Sequence, residues 1–396
     1  MLLLFTIFVE NTKQFNVKIM EIISILKDVE DPRRDHLKEH SLECIFYIAM
    51  TAVLCGAESW YDIEQFGLDK ESFFCSRIKD FKGIPSHDTF NRVFSILDPK
   101  VLENSFRNWI KQICGKYTGV VPIDGKEICG ARINKIDGSF EPLRIVSAWA
   151  AENGVTLGQE RVGKKTNEIN AIPKLIDALD LKDCIITIDA IGCQKDIIKK
   201  IVKKEAHFII CVKRNQEKLY NLVKELMDED LDGEHSKGHV PPTRYQKYIS
   251  EGTAHGRREK RICQVYCSGN VDKILKWDYV KSMVKLTNIK TDIRKKKTVV
   301  EEHYYITSIG LEPQKIAAAI RQHWSIENNL HWQLDVTFNE DKTRMTRNAA
   351  VNFSLLNKIA LSIIKHNAKK CSLRVKRKSA GWNEKYLAEL LDGNWV

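Results

Sequence analysis

One acidic residue set into an apolar helical stripe constrains this chain more than any other feature. From Pro313 the sequence PQKIAAAIRQHWSIENNLHWQLDVTFNEDKTR places Ile316, Ile320, Trp324, Glu327, His331 and Leu334 on one face when read at about 100° per residue. That periodicity predicts an inward-pointing Glu327. A carboxylate on a core-facing stripe is costly unless it is paired, neutralised or bound to a cation. The helix therefore either satisfies Glu327 internally, through His323, His331 or an arginine, or presents it to a functional site.

The partners that decide between these readings lie upstream, where the period changes at Gly119. GVVPID is a short apolar run ending in Asp124. LRIVSAWA and VTLGQERV flank Glu152-Asn153-Gly154, and an Asn-Gly pair between two such runs signals a hairpin. NEINAIPKLIDAL then reads as a helix, CIITIDA as a buried strand ending in Asp189, QKDIIKKIVKKE as a helix and HFIICVK as another buried strand. The order β-β-β-α-β-α-β, antiparallel then parallel, predicts a three-layer α/β core with a mixed sheet. Carboxylates at the carboxyl ends of buried strands stand where α/β sheets place chemistry. Asp189 alone has a second reading, as the N-cap of the next segment.

Before the sheet, residues 20–117 carry apolar residues at three-and-four spacing in MEIISILKDV, SLECIFYIAMTAVLCGA, WYDIEQFGL and VLENSFRNWIKQICGKY, predicting an all-helical N-terminal domain. Ser86 follows a proline turn and caps the helix TFNRVFSIL, so the unit is either a DNA-reading helical module or plain helical packing. Residues 1–19 are expected to be a leader too short to span a bilayer, with Met20 an alternative start.

Lysine and arginine exceed aspartate and glutamate by 63 − 52 = 11, which favours a polyanionic partner, nucleic acid before a membrane. The eleven cysteines form no CxxC pair, so neither a structural zinc site nor a disulfide framework is expected, and a reducing cytoplasm fits. Residues 231–312 alternate at strand period with interleaved cations and are expected to form a β-rich basic insertion before the Glu327 helix. Arg257 and Arg258 there are candidate phosphate contacts or ordinary edge protection. The core is expected to resume over 313–366, and 367–396 to form a basic tail with a short helix, NEKYLAELL. The tail's KKCSLRVKRK run reads as a backbone-binding segment or as solvated charge.

Three convergent carboxylates repel one another when ionised and are stable mainly when divalent cations neutralise them. Oxygen ligands favour Mg2+, with Mn2+ as a substitute, over zinc. Two such ions can activate a water or 3′-hydroxyl and stabilise the leaving oxygen of a phosphodiester.

From about Ile22 to Leu391 the chain resembles ISAs-type insertion-sequence transposases, the group that contains the H-repeat-associated proteins. The likeness runs through DPRR, AVLCGAESWYDIEQFG, GIPSHDTFNRVFS, IDGK, LRIVSAWAAENG, LGQERV, NEINAIPKLIDALDL, TIDAIGCQKDI, HWSIENNLHWQLDVTFNED and NKIALSIIK. It implies the DDE superfamily with an RNase H-like fold, and makes Asp124, Asp189 and Glu327 both the catalytic acids and the ligands of two metal ions. It also implies double-stranded DNA as partner, transposon ends and target alike, a homodimer holding two ends, and a bacterial cytoplasmic protein that joins the nucleoid on DNA. Related transposases carry a tyrosine and an arginine before the glutamate and a lysine after it; here those offsets hold Ile320, His323 and Leu334. The resemblance thus leaves Lys126, Arg321, His323, Lys342 and Arg344 as candidate DNA contacts beside Arg257 and Arg258.

Overall fold

Each change of hydrophobic period in the sequence marks a change of layer in the computed structural model, which describes residues 22–134, 140–163, 167–228, 245–254, 256–267 and 276–393. The leader and most of the link after Asp228 lie outside the described residues. The segment MEIISILKDV forms a 3-10 turn over Ile22–Leu26 rather than an α-helix. Helices α1 (Leu42–Cys55), α2 (Trp60–Asp69), α3 (Glu71–Arg77), α4 (His87–Ile96) and α5 (Pro99–Cys114) follow. Their starts are chemically specified: Ser41, Ser86 and Asp98 cap α1, α4 and α5, and Ser59 with Asp62 forms a capping box on α2. Helix α1 is apolar all round and, apart from Glu43, is buried from Leu42 to Leu54.

The chain then builds β1 (Val120–Asn134), β2 (Phe140–Ala150), β3 (Val155–Arg161), α6 (Glu168–Ala178), β4 (Ile185–Ile188), α7 (Lys195–Lys203), β5 (His207–Val212) and α8 (Glu217–Asp228). The Asn-Gly turn joins β2 to β3 in an antiparallel pair, with Gly154 at φ 66°. Strands β4 and β5 run parallel to β1. Four further strands, β6 (Tyr245–Ala254), β7 (Arg257–Cys267), β8 (Ser282–Asp292) and β9 (Lys297–Thr307), pair antiparallel with one another. Strand β9 also pairs with β5, from Ile209 opposite Thr307 to Val212 opposite Tyr304. The β-rich segment therefore prolongs the core sheet, giving nine strands in the order β3-β2-β1-β4-β5-β9-β8-β7-β6.

After the sheet come α9 (Pro313–His323), α10 (Trp332–Thr337), α11 (Arg347–His366), α12 (Leu373–Trp382) and α13 (Glu384–Leu391). Helix α11 is buried at every residue from Ala349 to Ile364 and packs against β3, β1, α1, α4 and α5. It binds the N-terminal helices to the sheet in one continuous core. Inside that core the Asn352 side-chain amide donates to the Phe94 and Leu97 carbonyls at 2.8 and 3.0 Å.

The basic run near the C-terminus is solvated only in part: Lys369, Lys370, Arg374 and Lys378 are exposed. Its Lys376 and Arg377 are buried on α12. The Arg377 guanidinium donates to the carbonyls of Val53, Ala57 and Thr337 at 3.0, 3.0 and 2.5 Å and lies 4.3 Å from the Phe338 ring centre. Lys376 Nζ donates to the Ile364 and Asn367 carbonyls at 3.1 and 2.5 Å, at the end of α11. These cations join three parts of the fold, and the sequence could not show it because a charge run records composition, not what lies opposite each side chain. Among the described residues no single helix is long and apolar enough to cross a membrane.

Candidate active site

Parallel pairing of two buried strands brings the first two acids together. Ile123 of β1 lies opposite Ile188 of β4, so the next residues stand side by side: Asp189 just past the end of β4, and Asp124 inside β1, which does not end there as its apolar run suggested but continues to Asn134 paired with β2. Asp189 leaves the strand at φ −68° and accepts a hydrogen bond from the Ile191 amide at 3.0 Å. It is thus the N-cap the sequence suggested and also a neighbour of Asp124. Gly125 makes room for a fourth carboxylate: a Cβ there would lie 2.3 Å from the Glu168 carboxyl, at the first turn of α6. Burial and then the Asp189 charge push the Glu168 carboxyl above its ordinary range.

Glu327 arrives by a route the regular helical period did not predict. Helix α9 ends at His323, the chain turns at Trp324, and Glu327–His331 forms a π-turn before α10. The apolar face runs through Ile316, Ala319 and Ile320, then through Ile326, Leu330 and Leu334. Trp324, expected inside, is 57% exposed. The Glu327 side chain is 51% exposed, so it faces the cleft over Asp124 rather than the core. The extra residue of the π-turn shifts the stripe, and π-turns inside helices are frequent at functional sites.

His331 closes the cluster. It is 6% exposed, and its Nδ1 lies 3.5 Å from Asp124 Oδ2 and 3.6 Å from Glu327 Oε2. One donor atom each from Asp124, Glu327 and His331 lie within 4.8 Å of one another. Burial pushes the Asp124 carboxyl up to about 8, helped by its hydrogen bond to Glu327 and the charges of Glu327 and Asp189. Glu327, held chiefly by His331 and also by Asp124, is lowered to about 2. The pair titrates as a unit, with the more buried Asp124 keeping the proton. Among the described residues no lysine or arginine forms an ion pair with Asp124, Asp189 or Glu327. Such a donor set of carboxylates and one imidazole suits a divalent cation.

The candidate DNA contacts divide into three groups. The Lys126 side chain is only 9% exposed and is held by Asp335 and Asp341 at 2.6 and 3.0 Å; it ties α10 to the chain that follows it and is not free for a phosphate. His323 is turned inward, its Nδ1 3.0 Å from Thr187 Oγ1, and burial lowers its pKa. Arg321, Lys342 and Arg344 are exposed on segments flanking the cluster, and Arg257 and Arg258 are exposed on β7. Strand β7 is five places from β1 in the sheet, roughly 24 Å at the usual spacing, so those two arginines are remote from the acids. His331 and Glu168 were missed as site residues. His331 stands on the apolar stripe as a possible partner of Glu327, whereas nothing in the pattern of NEINAIPKLIDAL sets Glu168 apart from its neighbours.

An acidic cluster over the parallel pair β1 and β4 of a mixed sheet, in a basic chain with appended helices, defines a candidate phosphoryl-transfer site. Residues 118–363 match the family model described as Transposase DDE domain, and residues 23–110 match the one described as DDE_Tnp_1-associated. The chain belongs to the DDE transposase family. It is 36% identical over 390 residues to "Putative protein YbfL" of Escherichia coli K12, covering 95% of this chain and 98% of that one. It is 35% identical over 390 residues to "H repeat-associated putative transposase YhhI" of the same strain, with the same two coverages of 95% and 98%. "Putative transposase YncI" of E. coli O157:H7 is 35% identical over 384 residues, 94% of each chain. A solved piggyBac transposase synaptic complex with hairpin DNA aligns with 94% of this chain and 77% of that one at TM-score 0.39 and 10% identity, a likeness too loose to carry weight.

Proposed function

We propose that this transposase binds the terminal inverted repeats of its own element, cleaves the DNA ends and joins the freed 3′-hydroxyls to target DNA, with Asp124, Asp189 and Glu327 as the catalytic acids. The observation that carries the reading is the convergence of Asp124 and Glu327, with Asp189 just past the adjacent strand, over the interior parallel pair β1 and β4. The order β3-β2-β1-β4-β5, antiparallel then parallel, supports an RNase H-like core. Asp124, Asp189 and Glu327 would hold two Mg2+ ions, or Mn2+ in their place. When bound, such cations supply charge that activates the attacking oxygen and stabilises the leaving one.

The protein's own contribution is placement. Asp124 and Asp189 are fixed by a buried parallel register, Glu327 by the π-turn, Glu168 by its place against Gly125 and His331 by burial. Exposed Arg321, Lys342 and Arg344 are positioned to take the DNA backbone near the acids, and Arg257 and Arg258 to take it farther along the sheet. The N-terminal helices are the candidate reader of the end sequence, through the exposed face of α4 at Asn91 and Arg92. Two DNA ends held at once imply a homodimer, in a cytoplasmic, nucleoid-associated protein.

Labelled DNA carrying the element's ends tests this. The wild type with Mg2+ should cleave the ends and transfer them to a plasmid, and Asp124→Asn should bind the ends without cutting them. Cleavage surviving that substitution would sink the assignment. End cleavage without strand transfer would reduce the protein to a nuclease of this fold.

A further inference from the structure

His331 is buried beside the two carboxylates and reaches each of them only at long range. Its Nδ1 distances of 3.5 and 3.6 Å to Asp124 and Glu327 are at or beyond the limit of a useful hydrogen bond. Its Nε2 is buried without a hydrogen-bond partner among the described residues. A residue 6% exposed with both ring nitrogens so poorly satisfied is an expensive core histidine. The same distances fit another role. Donors bonded to one cation at about 2.1 Å stand about 3.0 Å apart at right angles and about 3.6 Å apart at 120°.

The backbone supports that role. The π-turn spans Glu327 to His331 and so joins the two side chains in question. It lets the following residues keep Leu330 and Leu334 in the core while Glu327 and His331 both reach Asp124. A regular helix would have to give up either the core stripe or one of these contacts.

We propose that His331 is a protein ligand of the metal centre, giving Nδ1 to the cation shared by Asp124 and Glu327, and that this nitrogen makes the centre prefer Mn2+ over Mg2+. The inference rests on the reading of the acids as a cation site. Its chemical ground is that imidazole is a borderline donor, matched to transition metals better than to the harder Mg2+.

The full chain loaded with Mn2+ alone, and read by pulsed electron paramagnetic resonance, tests this without any DNA reaction. The wild type should show coupling to a nitrogen nucleus that changes isotope pattern when histidine is labelled with 15N. His323→Asn should keep that coupling and His331→Asn should lose it. His331→Asn should also weaken Mn2+ binding by about tenfold or more, and Mg2+ binding by less. Bound Mn2+ without histidine coupling in the wild type, or coupling that survives in His331→Asn, would overturn the role of His331 and leave the carboxylate site standing. Failure of the wild type to bind Mn2+ would overturn both. The isotope experiment uses unmutated protein, so a His331→Asn chain that did not fold would still leave a decisive result.

Discussion

Arg377 and Asp124 are both ionisable groups carried largely out of water, and the fold treats them in opposite ways. Three backbone carbonyls and an aromatic face surround the Arg377 guanidinium, matching its donors from within the chain. Asp124 is set against Glu327 and near Asp189, so its nearest charges are of its own sign. A buried charge that its own fold satisfies is holding structure together. A buried charge placed among like charges costs stability, and that cost marks a site shaped for something outside the polypeptide.

The sharpest challenge to the comparison is removal of the matched cation. Arg377→Ala leaves the Val53, Ala57 and Thr337 carbonyls without their donor and should cost about 3–5 kcal/mol in urea unfolding. Asn352→Ala removes a smaller matched group, two bonds to the Phe94 and Leu97 carbonyls, and should cost about 1–3 kcal/mol in the same assay.

Neutralising the unmatched acid should have the opposite sign. The unfolded chain releases the Asp124 proton near its ordinary 3.8, whereas the folded chain holds it to about 8. Between those values the native state binds the extra proton, so metal-free stability should fall as pH rises through that window. Asp124→Asn should flatten this slope and, at pH 8, raise stability by on the order of 1–3 kcal/mol, the full shift at about 1.4 kcal/mol per unit being discounted for solvent screening. Thermal melts from pH 5 to 9 read both effects, and a variant that kept the wild-type slope would remove Asp124 as its source. Mn2+ competes with the same proton, so its apparent affinity should climb over the same range.

The smallest effect should come from an exposed pair. Glu384→Ala breaks the 2.7 Å contact with Lys70 and should change stability by less than about 1 kcal/mol. A larger loss would mean that surface charge, rather than Arg377 and Lys376, docks the C-terminal helices.

Much of the site was legible because its acids end recognisable patterns. Asp124 and Asp189 each close an apolar run, and the Asn-Gly hairpin set the strand order that puts those runs in one sheet. Glu327 stood out as an acid among apolar residues. Its true orientation was hidden, because the 100° period assumes a regular helix and Trp324 and the π-turn break it. The pairing of β9 with β5 was also invisible, since an alternating pattern says which face of a strand is buried but not which edge is shared. Lys126 read as a free cation because its partners, Asp335 and Asp341, lie more than two hundred residues away in sequence. The roles of Lys376 and Arg377 were obscured for the same reason.

The union of β5 with β9 has a mechanical consequence. Backbone pairing from Ile209 opposite Thr307 to Val212 opposite Tyr304 ties the four added strands into the same sheet as the strands that carry the acids. Arg257 and Arg258 sit opposite Asp292 and Thr291, which face Lys297 and Thr298, so they stand past the end of that seam, and reach across this protein is set both by the number of strands and by how far the added ones overhang β5.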